Sequence, residues 1–250
     1  MYPTRPRSSL RTAVVWEVLS EALDRRAAEQ DRPVLDVLDT GGGTGNFAVP
    51  VARLGHRVTV VDPSPDALFA LERRAAEAGV TDLVRAVQGD TQTLADLVEP
   101  GSVDAVLCHG VLEVVDDPAD ALSGLAAVLR KGGLASLLAA NRDGAVLARA
   151  LAGHFAEARH ALEDETGRWG AGDPVPRRFT ADELRGLAGG AGLHVLAVHG
   201  IRVFADLVPG VLVDSEPGAL ESLLRLEEAA ARQPAFHAVA TQLHLLAELA

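Results

Sequence analysis

Short apolar runs alternate with segments of helical periodicity along most of the chain. In the helical segments apolar side chains recur at intervals of three and four residues. The predicted strands are 34–38, 57–61, 83–88, 103–108, 134–140, 193–198 and 241–249. The predicted helices are 10–29, 46–54, 65–78, 94–99, one from Pro118 to the pair Gly132-Gly133, and 181–188. Apolar strands alternating with helices are typical of a parallel sheet covered by helices on both faces, so the pattern predicts an α/β fold.

The alternation is interrupted twice in the second half of the chain. Residues 141–180 contain a predicted helix over 145–162 and a loop rich in Gly and Pro over 167–178. Residues 204–236 form the second interruption. Insertions after the late strands of a parallel sheet lie near its ligand-binding edge. We therefore predict one domain over 1–250, with an N-terminal helical segment over 1–32 and a substrate lid built from the two insertions.

Composition excludes several classes of protein. With 250 residues, 48% of them hydrophobic, the chain has enough apolar material for a packed core. The single cysteine, Cys108, excludes an internal disulfide and a Cys-rich zinc site. No two histidines have the i, i+4 spacing of helical metal ligands, so we predict no metal. No apolar run approaches the ~20 residues of a membrane span and no signal-like stretch follows the N-terminus, which predicts a soluble, cytoplasmic protein without a membrane partner.

A glycine-rich turn follows the first predicted strand, with the sequence Asp39-Thr40-Gly41-Gly42-Gly43-Thr44-Gly45. A strand, a glycine turn and a helix in succession form a nucleotide-binding arrangement, because glycine lets backbone N–H groups approach a ligand closely. The turn alone does not identify the ligand. Residues 43–48 also fit the dinucleotide pattern G-x-G-x-x-A, so an NAD site remains open.

Acidic residues beside the turn favour a different cofactor. Asp39 would repel a pyrophosphate but suits the ammonium group of S-adenosylmethionine. Asp62 ends the next strand, where a carboxylate can accept hydrogen bonds from both ribose hydroxyls. Asp90, within Gly89-Asp90-Thr91 after the third strand, is placed to meet the adenine. This layout is typical of class I methyltransferases and predicts S-adenosylmethionine as the cofactor.

Other interpretations of the same residues stay open at this stage. Asp39 could cap the turn, Asp62 could begin a helix, and Asp90 could form a turn. An NAD-dependent oxidoreductase and a non-catalytic nucleotide-binding module are the alternatives of other classes.

The chain also resembles the bacterial tRNA methyltransferases that esterify the carboxyl group of 5-carboxymethoxyuridine at the wobble position. The resemblance extends through both insertions. It rests on Leu10-Arg11, Trp16, Leu38-Asp39, Gly41-Gly42-Gly43, Gly45, Gly55-His56, Asp62, His109, Val111-Leu112-Glu113, Asp117-Pro118, Leu129-Arg130, Gly132-Gly133, Asn141, Gly153, Phe155, Arg202-Val203-Phe204, Leu226-Glu227 and Arg232-Gln233-Pro234. It implies a Rossmann-like, seven-stranded, mostly parallel sheet whose last strand is antiparallel.

The resemblance also implies roles for individual residues. Arg11 would reach the cofactor carboxylate through its guanidinium fork. Gly41, Gly42 and Asp62 would contact the cofactor, and Thr91 and Gln92 would flank the adenine. Gly43, in the same turn, is a further predicted cofactor contact. His109, at the end of the fourth strand, would touch the cofactor near the reacting centre.

The chain departs from that family in its first insertion. The family carries a strongly basic run there, whereas residues 162–169 read Leu-Glu-Asp-Glu-Thr-Gly-Arg-Trp. The formal net charge of −12 also opposes broad attraction to nucleic acid. These features argue against tRNA and leave two methyl acceptors open, a carboxylate-bearing group in tRNA and a small metabolite. An Arg-rich mouth formed by Arg142, Arg177, Arg178 and Arg202 would distinguish them.

The type of acceptor decides which catalytic groups are needed. Methyl transfer from a sulfonium is an in-line displacement that depends mainly on alignment, and an ionised carboxylate needs no general base. An alcohol or amine acceptor would use His109 as that base. Arg202 is predicted either to orient a substrate carboxylate or to form a salt bridge that fixes the insertion. Asn141 is predicted to line the acceptor site.

Overall fold

The computed structural model describes residues 12–250, apart from the side chains of residues 214 and 215. The predicted cofactor contact Arg11 lies outside the described residues. The strands are β1 (Asp36–Thr40), β2 (Arg57–Asp62), β3 (Val84–Gln88), β4 (Val103–His109), β5 (Leu129–Ala140), β6 (Leu193–Ile201) and β7 (Gln242–Leu249). The helices are α1 (Ala13–Glu29), α2 (Ala48–Arg53), α3 (Pro65–Glu77), α4 (Leu94–Leu97), α5 (Pro118–Val128), α6 (Arg142–Leu151), α7 (Phe155–Glu163), α8 (Ala181–Gly190), α9 (Gly210–Ser215), α10 (Ala219–Ala231) and α11 (Pro234–His237).

The strands form one seven-stranded sheet in the order β3-β2-β1-β4-β5-β7-β6, which confirms the predicted α/β fold. The pairs β1–β2, β1–β4, β2–β3 and β4–β5 are parallel. The chain therefore moves outwards from β1 to β3 and then returns to place β4 on the other side of β1. In such sheets ligands bind at the carboxyl ends of the strands, at the point where the order reverses. That β7 runs antiparallel stays a prediction.

Continuous burial of the central strands explains their unbroken apolar sequence. Every residue of β4 before His109 is buried, and Leu38 and Val106 on neighbouring strands are fully inaccessible. The helix α3 packs only one side inwards, through Leu68, Leu71 and Ala75. A fully buried leucine contributes about 1.5–3 kcal/mol relative to an exposed one, so this core fixes the strand ends that carry polar residues.

The described chain falls into two compact units. The first, which we call the cofactor unit, comprises residues 19–138, 185–197 and 245–250. The second, which we call the insertion unit, comprises residues 12–18, 139–184 and 198–244 and contains both predicted insertions. The description of 1–250 as a single domain stays a prediction.

Two predicted helices differ from the structure. The segment 145–162 is mostly helical, as predicted, but it forms two helices: α6 ends before Gly153, whose φ of 81° suits glycine, and α7 begins at Phe155. The helix predicted to end at Gly132-Gly133 instead ends at Val128. There the two glycines lie inside β5, beside a register shift against β4 between Val103 and Ala105. Glycine pairs mark irregular strands as well as helix ends.

Two strand boundaries change the position of site residues. The first strand runs from Asp36 to Thr40 rather than over 34–38, so Asp39 lies within the strand. The sixth strand continues to Ile201, three residues past its predicted end, so that Arg202 follows it directly. In the part of the chain that the structure describes, no helix is both long and apolar enough to cross a bilayer.

Candidate cofactor and active site

The glycine turn is anchored to both strands that flank β1. The Thr40 hydroxyl donates a hydrogen bond to the carbonyl of Leu107 in β4, at 3.0 Å. The Gly41 N–H donates to the carbonyl of Val61 in β2, at 2.7 Å. Gly41 has a φ of 63°, which a side chain would strain. These bonds hold the turn against the carboxyl edge of the sheet, as the sequence predicts for a nucleotide-binding turn.

A cavity of about 530 Å³ opens beside this turn, at the ends of β1, β2 and β4. Its wall includes five of the predicted cofactor residues, which are Gly41, Asp62, Asp90, Thr91 and Gln92. The other lining residues are Thr40, Val61, Pro63, Gly110, Val111, Val114, Val115 and Asp116. No lining residue is basic, and three are aspartates. The cavity therefore favours a cationic ligand over a pyrophosphate.

Asp62 connects the cavity wall to the glycine turn. Its Oδ2 accepts a hydrogen bond from the Gly43 N–H and its Oδ1 accepts one from the Ser64 N–H, both at 2.9 Å. The residue is 7% exposed, so these bonds fix the carboxylate at the end of β2 while it still reaches the cavity. The helix α3 is capped by Ser64, and Asp62 contributes to the entry of this helix only by accepting the Ser64 N–H.

Asp39 lies beneath the turn and is not part of the cavity wall formed by the described residues. It is 3% exposed, and a Cβ on Gly42 would lie only 2.5 Å from its Oδ2. Burial, with a smaller contribution from the charge of Asp62, raises the pKa of Asp39 to about 7. A nearby cationic group would restore its ionised form. Gly42 and Gly43, also predicted contacts, are likewise absent from the wall.

Asp90 forms a turn and also lines the cavity. Its Oδ1 accepts hydrogen bonds from the N–H groups of Gln92 and Thr93, at 3.0 and 2.9 Å. These bonds, with that of the Thr93 hydroxyl, lower the pKa of Asp90. Gln92 then donates from Nε2 to Asp116 Oδ2 at 3.3 Å. The bond joins the segment after β3 to the segment after β4.

The segment after β4 supplies a wall that the sequence analysis did not predict. Gly110, Val111, Val114, Val115 and Asp116 all line the cavity. Val114 is 65% exposed, so part of this wall is an accessible apolar surface. Apolar residues directly after a strand that ends in His109 were the available signal. They could not be assigned without knowing that β4 lies beside β1.

His109 ends β4 in the cofactor unit, as predicted. Its Nε2 lies 2.8 Å from Ser136 Oγ, and its ring meets Phe47 edge-on with centroids 4.5 Å apart. Burial lowers the pKa of His109 to about 4, so the imidazole is neutral at pH 7. A contact between His109 and the cofactor stays a prediction.

Asn141 lies in the insertion unit and is 1% exposed. Its Oδ1 caps α6 through the Asp143 N–H, and its Nδ2 donates to the carbonyls of His237 and Ala240, at 2.9 and 2.7 Å. These bonds give the side chain a structural role. That it lines the acceptor site stays a prediction.

Three of the four arginines considered for a basic mouth, Arg142, Arg178 and Arg202, form ion pairs inside the insertion unit. Arg142 donates to Glu183 Oε1 at 2.9 Å, and Arg178 pairs with Asp173 at 2.6 Å. Arg202 follows β6 and pairs side-on with Asp206. The salt bridge proposed as one role of Arg202 therefore exists, and each of these three cations is matched by a carboxylate.

Comparisons with known proteins agree with this geometry. Residues 38–137 match the family described as "Methyltransferase domain". The tRNA 5-carboxymethoxyuridine methyltransferase of Escherichia coli O157:H7 is 32% identical over 241 residues, which cover 96% of this chain and 88% of that protein. The chain belongs to the class I S-adenosylmethionine-dependent methyltransferases. The ubiquinone biosynthesis O-methyltransferase of Xanthomonas campestris pv. campestris is 36% identical over 133 residues, 52% of this chain and 54% of that protein.

The fold of this methyltransferase also matches solved structures. Magnesium protoporphyrin IX methyltransferase from Synechocystis PCC 6803, with bound S-adenosylhomocysteine, superposes with a TM-score of 0.61 at 15% identity, covering 100% of this chain and 90% of that one. The cofactor of the present enzyme is S-adenosylmethionine, as predicted, rather than NAD.

The residues of the cavity fit this cofactor. The turn is so closely packed that a Cβ on Gly41 or Gly42 would clash with a neighbouring side chain. The wall contains aspartates and no basic residue. Both features suit a nucleoside that bears an ammonium and a sulfonium. When bound, S-adenosylmethionine supplies a methyl group on a good leaving group. The protein then has to orient the acceptor and exclude water.

Proposed function

We propose that this methyltransferase esterifies a carboxylate-bearing acceptor, with 5-carboxymethoxyuridine in tRNA as the first candidate. The observation that carries the proposal is the similarity to the Escherichia coli tRNA 5-carboxymethoxyuridine methyltransferase over 96% of the chain. An alignment of that length includes residues from both insertions, whereas a shared cofactor fold would require only the cofactor unit. Action on tRNA would also place the enzyme in the cytoplasm.

The state of His109 supports an acceptor that is already ionised. An imidazole whose pKa is held at about 4 is a weak proton acceptor at neutral pH. An alcohol or amine acceptor would benefit from a stronger base. A carboxylate needs none, so alignment is the main task of the protein.

Arg202 is the residue that we propose to orient the acceptor carboxylate. Its position directly after β6 places it at the end of a strand, and its guanidinium can hold a carboxylate through two parallel hydrogen bonds. Asp206 occupies only the Nε and Nη2 side of this group.

A small anionic metabolite is the second candidate acceptor. Three arginines that could have formed a phosphate-binding patch, Arg142, Arg178 and Arg202, are paired with carboxylates. The net charge of −12 adds to this argument. The chain is also similar to an O-methyltransferase of ubiquinone biosynthesis, but that similarity covers only about half of the chain and so supports this candidate less than the longer match supports the first.

A radiolabel experiment separates the candidates. The enzyme is incubated with S-[methyl-³H]adenosylmethionine and either tRNA that contains unmethylated 5-carboxymethoxyuridine or the free nucleoside. A methyl ester releases its label as methanol in mild alkali, whereas an ether or amine product keeps it. Alkali-labile label on tRNA supports the first candidate. Binding of S-adenosylhomocysteine without any transfer to tRNA would contradict it.

Substitution of Arg202 tests the proposed acceptor contact. Arg202→Ala is expected to raise the KM for the tRNA roughly tenfold or more, because hydrogen bonds to a charged group contribute about 1.5–3 kcal/mol. The Kd for S-adenosylhomocysteine should not change. Arg225→Ala is the matched control, since Arg225 is an exposed arginine with a similar i, i+4 carboxylate partner, Glu221. An unchanged KM in Arg202→Ala would exclude the contact.

A further inference from the structure

Arg202 stands in a backbone conformation that it does not adopt easily. Its φ is 59°, in the left-handed region, and Asp31 is the only other non-glycine residue of the described chain with a positive φ. Such a conformation persists only where surrounding contacts impose it. The contacts around the turn 202–205 therefore show how the fold holds this arginine.

Glu227 of α10 is the main contact of the turn. Its carboxylate accepts hydrogen bonds from three successive backbone N–H groups, those of Val203 at 2.8 Å, Phe204 at 2.8 Å and Ala205 at 2.6 Å. Glu227 is 2% exposed, and no basic side chain pairs with it among residues 12–250. A buried carboxylate without a cation requires such donors, so the turn and Glu227 depend on each other.

An apolar cluster encloses this arrangement. Val203, Ala230 and Ala240 are at most 3% exposed, and Phe204 and Val239 pack against them. Water has little access to compete for the three hydrogen bonds, which strengthens them.

The side chain of Arg202 is held in turn by Asp206 and Thr241. Arg202 Nε donates to Asp206 Oδ1 at 3.2 Å, and Nη2 donates to Asp206 Oδ2. Thr241 Oγ1 donates to the same Oδ2 at 2.7 Å. The remaining guanidinium nitrogen, Nη1, bonds to no described residue and is not fully buried. The edge formed by Nη1 and Nη2 thus keeps N–H groups available for a second carboxylate.

We infer that Glu227 is a positioning residue: it sets the 202–205 turn so that Arg202, oriented side-on by Asp206, keeps its Nη1–Nη2 edge ready for the carboxylate of the methyl acceptor. The inference rests on the proposed function. In this arrangement the guanidinium is ordered before the acceptor arrives, so less conformational entropy is lost on binding. Glu227 acts through Arg202 and does not itself touch the acceptor.

Glu227→Gln tests this role. The amide retains the shape of the side chain but replaces one accepting oxygen with an NH₂ group, so at least one N–H of residues 203–205 loses its acceptor. We expect faster hydrogen exchange at these amides and a roughly tenfold higher KM for tRNA bearing 5-carboxymethoxyuridine. The Kd for S-adenosylhomocysteine and the kcat should stay near the wild-type values. Glu228→Gln, at the next and more exposed position of α10, is the matched control and should change none of these quantities.

Asp206→Asn provides a second variant whose position tolerates substitution, since the Asp206 side chain is 37% exposed. Weaker side-on pairing should also raise the acceptor KM. A lower KM would mean that Asp206 competes with the acceptor for Arg202, and would overturn the inference. A wild-type KM in Glu227→Gln, together with fast hydrogen exchange at the amides of residues 203–205, would also overturn the inference. Failure of the wild-type enzyme to methylate this tRNA, with S-adenosylhomocysteine still bound, would instead refute the proposed acceptor and the inference together.

Discussion

The two compact units satisfy their polar groups in different ways. In the cofactor unit Asp62 and Asp90 line a cavity whose described wall contains no basic residue. In the insertion unit several charged and polar side chains bind other groups of the same unit. Arg178 pairs with Asp173, and Asn141 and Glu227 bind several backbone groups each.

This difference distinguishes side chains that can bind a ligand from side chains that hold the fold. Asp62 and Asp90 also hold backbone N–H groups, but they can gain a cationic partner from a ligand of the cavity. The ion pairs and buried polar groups of the insertion unit instead fix the shape of the chain. Arg202 can do both, because Asp206 pairs with the Nε–Nη2 side of its guanidinium while the Nη1 side has no described partner. For that reason it is the residue of the insertion unit to which we assign an acceptor.

The largest expected effect belongs to the glycine turn. In Gly41→Ala the new Cβ would lie 2.5 Å from Val111 Cγ2, in the cavity wall. We expect the affinity for S-adenosylhomocysteine, measured by calorimetry, to fall about 10- to 100-fold, as overpacking by about 1–3 kcal/mol implies. Gly79→Ala is the control, because Gly79 has a similar φ of 71° but open space around it. Equal affinities in the two variants would show that the close approach does not matter.

A smaller effect is expected from a buried histidine pair in the insertion unit. His199 stacks on His244 with ring centroids 5.4 Å apart. Burial, with the charge of Arg232 and the neighbouring His237, lowers the pKa of His199 to about 4. As the pH falls from about 6.5 to about 4, the unfolded chain binds a proton that the folded chain does not, so stability decreases in this window.

Urea unfolding at pH 7 and pH 5 measures this effect. Because of the lowered pKa of His199, the free energy of unfolding should be about 2 kcal/mol lower at pH 5 than at pH 7. His199→Asn should flatten the dependence, although the similarly lowered pKa of His109 leaves part of it. His194→Asn, an exposed position of the same strand, should keep the wild-type slope. A wild-type slope in His199→Asn would contradict the prediction.

The smallest expected effect is a pH dependence of cofactor binding. Burial, assisted by Asp62, raises the pKa of Asp39 to about 7, so the free enzyme carries a partly protonated carboxyl at neutral pH. If the cofactor ammonium lies near Asp39, binding favours the ionised form and releases a proton. The affinity for S-adenosylhomocysteine should then decrease as the pH falls below 7, by at most about tenfold per unit.

Calorimetry in buffers of different ionisation enthalpy detects the released proton. Asp39→Asn should remove both the proton release and the pH dependence. Asp66→Asn, an exposed carboxylate in the first turn of α3, should preserve them. Proton release that persists in Asp39→Asn would assign the effect to another group.

One part of the cavity wall was largely predictable, because its residues lie at or just after the ends of successive strands. Asp62 ends β2, and Asp90, Thr91 and Gln92 come after β3; all four line one cavity. The part of the wall that follows β4 was missed, because its contribution depends on β4 lying beside β1. The prediction of secondary structure failed where a glycine can play more than one structural role. Gly132 lies in an irregular part of a strand and does not end a helix.

The sequence by itself determined the α/β fold, the glycine turn and the cofactor class, since period, turn chemistry and acidic strand ends are encoded within a few neighbouring residues. Only the tertiary structure decided which polar groups are already satisfied. Glu227 and the turn 202–205 are more than twenty residues apart, and no local pattern indicates that three backbone N–H groups converge on that carboxylate. Hydrogen bonds of this kind depend on how helices and strands pack, so they appear only once the chain is folded.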